Sequence, residues 1–262
     1  IDSNSLISIA KNLLDYDVHG FTIINQDKRY DEKEIVQYAV KEQNLKHTEI
    51  PIDPRNFLPK LRELICYHDA PVYTITYFAH WLLMKSIAEH GYRISISGTG
   101  ADELFSGYFD HHLSYFAEIY KDAKLYEKSY HYWKKYIYPT VRNPHLKNPR
   151  LMIDNPEFRD HIFFNAETFS DYLYEDWFES FNEQNYCNNL MRNRMANEMF
   201  HEIIPVILHE DDLNAMYFSI ENRSPYLDHN LFEFLLSDYL FQNPGNHLDH
   251  HHYYLIQIDN YQ

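Results

Sequence analysis

The chain has 262 residues, a formal net charge of −16 at pH 7 and two cysteines. This length suffices for one large or two small domains, and the acidic balance argues against a nucleic-acid-binding surface. No apolar run approaches the roughly 20 residues of a membrane span. Cys66 and Cys187 imply no disulfide framework, which favours a reducing, cytoplasmic setting. An anionic substrate would need a local positive site or a bridging cation.

Strand and helix patterns alternate along the first hundred residues. An opening helix is predicted to carry four apolar residues on one face, namely Leu6, Ala10, Leu13 and Leu14. Strands are predicted over residues 17–24, 47–52 and 92–96, and the last of these is expected to be buried. Helices are predicted over residues 31–44, 57–67 and 74–90. This alternation predicts an α/β fold with a parallel, doubly wound sheet, and one further strand is expected upstream of Ile1.

The pattern changes after residue 108. Residues 109–200 lack strand patterns and are rich in aromatic, Lys and Glu residues, so they are predicted to form helices joined by a Pro-bearing loop at 138–156. The expected division is therefore an α/β part at 1–108 and a mainly helical part at 109–262. Residues 246–252 are His-rich, and an irregular tail is favoured over a metal site there. A metal site is likewise not favoured for the pair His111-His112.

Residues 97–108, SGTGADELFSGY, follow the predicted strand at 92–96. Gly98 and Gly100 permit a tight turn and a close approach of the backbone to a bound group. Asp102 and Glu103 then open a helix, and α/β proteins bind phosphates and metals at such strand-to-helix turns. The glycines alone fit an ordinary turn equally well, and the two carboxylates alone fit the helix dipole.

Taken whole, residues 97–108 resemble the S-G-x-G-[AS]-D-E-[LV]-F-x-G-Y signature of the asparagine synthetase family, whose relatives include the β-lactam synthetases. Thr99 and Ser106 depart from it, because the family often has Glu and Gly at these positions. Residues 208–228, LHEDDLNAMYFSIENRSPYLD, resemble the family's second block, L-x-x-x-D-x-x-x-M-x-x-S-x-E-x-R-x-P-F-L-D, with Tyr226 in place of Phe. Two such blocks in the right order make coincidence a poor explanation.

The first residues carry a third, weaker resemblance. Ile1-Asp2-Ser3 matches the end of the family's phosphate loop, S-G-G-x-D-S, and the S-G-G is expected before Ile1. The tripeptide alone is equally typical of a helix start with Ser3 at or near the N-cap.

The resemblance implies the ATP-pyrophosphatase (PP-loop) type of doubly wound sheet with an added helical lobe. It implies a ligase that uses ATP and Mg²⁺ to convert a carboxylate, with aspartate favoured, into an acyl-adenylate. Pyrophosphate leaves, and ammonia derived from glutamine attacks to form the amide. The ammonia source is expected to be an upstream N-terminal glutaminase domain, and a homodimer is left open.

The resemblance also assigns residues to roles. Those implied in ATP binding are Ser3, Ser97, Gly98, Thr99, Gly100 and the backbone at Phe21, Thr22 and Ile23. Asp2 and Asp102 match the family's magnesium-holding pair, and hard oxygen ligands suit this ion. Thr99 and Glu221 are the candidate catalytic residues, although a structural pairing of Glu221 with Arg223 explains Glu221 equally well. Glu103, Asp212 and Asp228 are interpreted as pairing or scaffold carboxylates.

Two alternatives stay open at the level of sequence. Thr99 is not a general base at neutral pH, so a related enzyme that acts on another carboxylate fits as well. A non-catalytic ATP-binding descendant is the other alternative. Its motives are the aromatic-rich helical lobe and the lack of Lys or Arg between Asp228 and Gln262, where the family places a catalytic Lys. A segment missing from this chain is the favoured explanation of that lack.

Overall fold

The computed structural model describes residues 2–24, 33–163, 165–176 and 179–235. The chain divides into two compact units, the first made of Ile1–Ala101 and Ile203–Asp228 and the second of Asp102–Glu202 and His229–Gln262. The chain thus returns to the first unit after residue 202, whereas the sequence patterns suggested two consecutive parts. None of the helices in the described ranges combines the length and apolar character needed to cross a membrane.

The described residues form helices and short parallel strands. The strands are β1 (His19–Ile24), β2 (Lys46–Pro51), β3 (Ile94–Ile96) and β4 (Glu221–Arg223). The helices are α1 (Asp2–Ser8), α2 (Lys33–Glu42), α3 (Phe57–His68), α4 (Thr76–Glu89), α5 (Ala101–Phe105), α6 (Phe109–Ile119), α7 (Ala123–Tyr132), α8 (Leu151–Asp154), α9 (Ala166–Ser170), α10 (Leu190–Asn197), α11 (Ile204–Tyr217) and α12 (His229–Leu235). Single π-helical turns extend α1, α7 and α10.

The predicted alternation of strands and helices in the first hundred residues is confirmed, with element ends within two residues of the prediction. The strands pair as two separate parallel sheets among the described residues. β1 pairs with β2 from His19↔Lys46 to Ile24↔Pro51, and β3 pairs with β4 from Ile94↔Glu221 to Ile96↔Arg223. The fold is mixed α/β with parallel pairing, but the described strands do not form one doubly wound sheet.

One prediction of burial was wrong. β3 is not buried on both faces, because Ile94 and Ile96 are 52% and 58% exposed, while Ser95 between them faces Met84 of α4. Alternate residues of a strand point to opposite faces, and only the Ser95 face is covered by α4. On the apolar face predicted for the opening helix, Leu6 and Ala10 are half-buried, whereas Leu13 and Leu14 are exposed.

The core of the first unit lies between α4 and α11. One cluster joins Met84 and Ile87 of α4 to Ala215 and Ile220 of the second sequence block. A second cluster is formed by Leu64, Phe78 and Trp81. Burial of such apolar surface is the main favourable contribution to folding. The packing of α4 on α11 therefore stabilises the part of the unit that carries β3 and β4.

The second unit is helical, as its sequence predicts. Its core is formed by α6, α7, α8 and α10, with Leu113, Phe116 and Trp133 fully or almost fully buried. The segment at 138–156, expected to be a loop, contains a 3₁₀ turn at His145–Lys147 and the short helix α8. The His-rich residues 246–252 lie outside the described residues.

Candidate functional site

A cleft of about 240 Å³ opens at the carboxyl end of β3. It lies within the first unit, between the start of α1, the turn after β3, α4, α11 and β4. The lining residues are Asp2, Ser3, His80, Leu83, Met84, Ser97, Gly98, Thr99, Asp211 and Asn222. Five of these are residues that the sequence assigns to ATP or magnesium, namely Asp2, Ser3, Ser97, Gly98 and Thr99. The fold thus brings the first residues of the chain beside the signature segment.

Gly98 allows the turn after β3 to approach α1 closely. An ideal Cβ at Gly98 would lie 3.1 Å from Asp2 Cβ and 3.2 Å from the backbone nitrogen of Ser3. Both contacts are tighter than ordinary van der Waals packing, so a side chain here would push the first turn of α1 away. Tyr226 Oη also donates a hydrogen bond to the Asp2 carbonyl oxygen at 3.1 Å. The second sequence block therefore helps to hold the first turn of α1 against the signature segment.

The hydroxyl groups of Thr99, Ser97 and Ser224 form a hydrogen-bonded row beside Gly98. Ser97 Oγ donates to Thr99 Oγ1 at 3.0 Å and lies 3.1 Å from Ser224 Oγ. The backbone N–H of Ser97 donates to the Arg223 carbonyl oxygen at 2.9 Å, which continues the β3–β4 ladder by one residue. Hydroxyl groups can donate to phosphate and ribose oxygens. This row therefore offers polar contacts to a nucleotide but no strong base.

Gly100 allows the backbone to turn between β3 and α5, and it is not among the residues that line the cleft. Its φ of +93° lies in the region that favours glycine, and an ideal Cβ would lie 2.3 Å from Leu227 Cδ2. Any side chain here would combine backbone strain with a clash against the second block. Gly100 thus determines the path of the chain into α5.

Glu221 and its neighbour Asn222 point to opposite faces of β4. Asn222 lines the cleft, and its Oδ1 accepts a hydrogen bond from Ser95 Oγ at 2.5 Å. Glu221 is exposed, and its Oε1 lies 3.7 Å from Arg223 Nε. The period of two along a strand explains why only one of two adjacent residues faces the cleft. The structure therefore places Glu221 in the surface pairing with Arg223 and brings Asn222, which the sequence reasoning missed, into the cleft.

Phe21, Thr22 and Ile23 lie on β1 and are not among the residues that line the cleft. The Thr22 hydroxyl is hydrogen-bonded to His47 Nε2 at 3.0 Å. Phe21 packs against the α4–α11 core, and its ring contacts the Tyr92 ring edge-on. The side chains of Phe21 and Thr22 are thus engaged within the unit, and the nucleotide contact that the resemblance implies falls to the β1 backbone.

Asp102 and Glu103 lie on α5, at the start of the second unit. An ideal Cβ at Gly107 would lie 1.6 Å from Asp102 Oδ1, so Gly107 leaves the room that this carboxylate occupies. Glu103 is buried and accepts a hydrogen bond from Tyr108 Oη at 2.5 Å. Burial raises the pKa of Glu103. Ser106 has a φ of +72°, which gives a physical reason for the family's preference for Gly there.

His80 and Asp211 are the main residues of the cleft that the sequence analysis missed. His80 Nδ1 lies 3.0 Å from Asp211 Oδ1, and the Asp211 side chain is only 5% exposed. His80 stands in the apolar sequence of α4 and belongs to no motif. Asp211 directly precedes Asp212, the carboxylate of the second block that sequence reasoning singled out and that is exposed in the structure. No sequence signal joins the two, because their contact spans 131 positions along the chain.

The second unit contains a buried cluster of possible metal ligands. Asp110, His111 and Glu198 offer ligand atoms within 4.8 Å of one another. The Arg194 guanidinium lies among them, with Nε 3.4 Å from Asp110 Oδ2 and 3.0 Å from Glu198 Oε1. His111 Nε2 is 2.7 Å from Glu198 Oε2. A fixed positive charge already balances the carboxylates and repels a further cation, so the cluster is better explained as a buried salt-bridge network.

Comparison with known proteins adds one positive finding. A sequence model of the family described as asparagine synthase matches residues 1–241. This range includes α1, the signature segment and the second block, and hence all residues that line the cleft. No protein with a curated description matches the chain.

Proposed function

Because the chain belongs to the asparagine synthase family of ATP-dependent amide-forming ligases, we propose that it activates a carboxylate as an acyl-adenylate. Aspartate is the favoured substrate. Pyrophosphate leaves in the first step, and ammonia then attacks the activated carbonyl to form the amide. The observation that carries this proposal is the single cleft in which Asp2 and Ser3 meet Ser97, Gly98 and Thr99.

The residues of the cleft fit a magnesium-bound nucleotide. Asp2 supplies a hard oxygen ligand, and Gly98 leaves space over the first turn of α1, where a Cβ would obstruct it. Because the protein has a net charge of −16, the phosphates of a bound nucleotide need local neutralisation. Bound Mg²⁺ would supply it by drawing electron density from the phosphate oxygens. We retain Asp102 as a second proposed ligand on its motif position, to be tested by Asp102→Asn.

The chain's own groups have distinct roles in this proposal. The Ser3 hydroxyl and the adjacent backbone N–H groups bind the departing pyrophosphate. The hydroxyl groups of Ser97 and Thr99 bind and orient the adenylate, and Thr99 acts by hydrogen bonding, since a hydroxyl is not a base at neutral pH. The backbone of β1 binds adenine. Glu221 is left out of the machinery because it lies on the other face of β4.

The proposed doubly wound sheet requires one more strand. Among the described residues β1 pairs with β2 alone and β3 with β4 alone, so each of β1 and β3 has one edge without a partner strand. A strand from upstream of Ile1, inserted between them, would join the pairs in the order β2-β1-new strand-β3-β4. A structure that includes the residues before Ile1 tests this, and a sheet in which β1 and β3 keep separate edges would contradict it.

Glutamine is the proposed nitrogen source, through a glutaminase domain upstream of this chain in the complete protein. The test compares glutamine with ammonium salts as the nitrogen donor for amide formation. Use of ammonia with no use of glutamine by the complete protein would contradict this part of the proposal and leave the adenylation chemistry intact.

Carboxylate-dependent exchange of labelled pyrophosphate into ATP tests the central step. We expect exchange that requires Mg²⁺ and aspartate. Asp2→Asn should reduce it by at least 100-fold, because the variant lacks the carboxylate that would hold the Mg²⁺ against the phosphates. Exchange with another amino or sugar acid in place of aspartate would favour the related enzyme that Thr99 suggests. No exchange with any carboxylate would contradict the proposed function.

A further inference from the structure

The pair of His80 and Asp211 lines the cleft but is not used in the chemistry above. His80 Nδ1 contacts Asp211 Oδ1 at 3.0 Å, and no hydrogen bond to His80 Nε2 occurs among the described residues. The Asp211 carboxylate is almost fully buried, whereas the His80 side chain is about one-third exposed. A carboxylate that holds one ring nitrogen fixes the tautomer and leaves the other nitrogen to accept a proton.

The remaining lining groups cannot take this role equally well. Within the described part of the chain, the cleft wall otherwise offers carboxylates, hydroxyls, an amide, a glycine and two apolar side chains. An imidazole is the side chain that ordinarily changes its charge between pH 5 and 8. Thr99, at the position where the family often has Glu, offers only a hydroxyl, which accepts a hydrogen bond from Ser97 Oγ and is not a base at neutral pH.

The amide-forming half-reaction needs such a base. When ammonia attacks the acyl-adenylate, the C–N bond forms, the bond from carbon to the phosphate oxygen breaks, and AMP leaves with that electron pair. The new nitrogen then carries one proton more than the neutral amide. On the basis of the function proposed above, we propose that His80 Nε2 accepts this proton and that Asp211 positions the ring through Nδ1. The protonated imidazole afterwards releases the proton to solvent.

The titratable groups beside the pair are carboxylates and one phenol. On α11, Asp211 contacts His80, while the neighbouring Glu210 pairs with His68 of α3, and Asp2 also lines the cleft. On α4 itself, the Tyr77 ring lies 5.9 Å from the His80 ring. Burial, followed by the charges of Asp211 and Glu210, raises the pKa of Tyr77 to about 12, so Tyr77 stays neutral. The charged groups that line the cleft beside His80 are thus the carboxylates of Asp211 and Asp2, and a proton accepted by the ring would complete an ion pair with Asp211.

The test separates the two half-reactions in the purified protein. His80→Gln should leave carboxylate-dependent ATP–pyrophosphate exchange within about threefold of the wild type, because no amine takes part. It should lower kcat for amide formation by a factor of about 10² to 10³. The rising limb of the pH profile of amide formation, which reports the base, should disappear in His80→Gln and shift in Asp211→Asn.

Chemical rescue distinguishes a base from a structural residue. Added imidazole should restore part of the amide-forming activity of His80→Ala, while a merely structural loss would not respond. His131→Gln, an exposed histidine on α7, is the matched control and should behave as the wild type.

Normal exchange together with normal amide formation in His80→Gln would overturn the inference while leaving the proposed function intact. Equal loss of both half-reactions in His80→Gln without imidazole rescue in His80→Ala would also overturn it, because that result assigns His80 to folding or substrate binding. Absence of exchange in the wild type would instead reject the proposed function itself.

Discussion

At the scale of single residues, the missing side chain of Gly98 determines how closely α1 approaches β3. The calculated Cβ contacts of 3.1 and 3.2 Å involve Asp2 Cβ and the Ser3 backbone, and backbone cannot rotate away as a flexible side chain would. A shift of a few tenths of an ångström is needed to admit a methyl group. The position of the proposed phosphate- and metal-binding residues thus depends on one glycine.

We therefore expect Gly98→Ala to weaken binding of Mg-ATP by about tenfold, equivalent to about 1.4 kcal/mol, as measured by calorimetry. Gly91→Ala is the control, because its φ of +84° makes alanine strained while no atom lies within 4 Å of the added Cβ. The control should lose about 1 kcal/mol of stability and keep its affinity for ATP. Equal affinities in wild type and Gly98→Ala would show that the first turn of α1 does not contact the nucleotide.

At the scale of elements, α6 and α10 are joined by buried charges. His111 of α6 contacts Glu198, directly after α10, and Arg194 bridges Glu198 and Asp110. Burial alone would lower the pKa of His111, but the charge and hydrogen bond of Glu198 outweigh this and raise it. Burial alone would raise the pKa of Asp110, but the His161 hydrogen bond and the nearby cations lower it. The buried charges of the network thus balance one another only while all of its members are present.

Removing one charge should accordingly destabilise the helical unit. Glu198→Gln keeps the shape of the side chain but leaves His111 and Arg194 with a missing counter-charge, and we expect a loss of about 3 kcal/mol in the free energy of unfolding. The matched control is Glu233→Gln, where an equivalent Glu–His pair, with His229, lies exposed at 3.1 Å. Such surface pairs contribute little, so the control should lose no more than about 0.5 kcal/mol. Equal losses in urea unfolding would show that burial of the network has no energetic consequence.

At the scale of the whole molecule, two adjacent histidines give stability an optimum in pH. Burial, followed by the charge of His111, lowers the pKa of His112 from 6.5 to about 3. Between pH 6.5 and about 3, His112 is therefore protonated in the unfolded chain but neutral in the folded chain. The free energy of unfolding consequently falls as the pH decreases through this range. His111 has a raised pKa, so its contribution is present below 6.5 and is lost as pH rises through the folded value.

The acid limb is the more specific prediction. Between pH 6.5 and 4, His112 should contribute a slope of up to about 1.4 kcal/mol per pH unit to the free energy of unfolding. Urea unfolding at several pH values should show a clearly shallower slope for His112→Asn than for the wild type. Parallel slopes would mean that His112 does not remain neutral in the folded protein.

The sequence predicts the elements around the cleft better than their packing. The two motif blocks and Ile1-Asp2-Ser3 predict that Asp2 lies near Ser97 and Thr99, because each block is local and tied to a strand end. The contact between His80 and Asp211 cannot be predicted in this way, since it depends on how α4 packs on α11. Which of Glu221 and Asn222 faces the cleft likewise depends on the register of β4 on β3. The exposure of Ile94 and Ile96 also depends on packing, because α4 covers only the Ser95 face of β3.

The most direct test of the account is a crystal structure of the protein with Mg²⁺ and a non-hydrolysable ATP analogue. We expect the phosphates beside Gly98 and Ser3, the metal on the Asp2 carboxylate, and the hydroxyl groups of Ser97 and Thr99 in contact with the nucleotide. A nucleotide bound outside this cleft, or a metal that does not contact Asp2, would contradict the account.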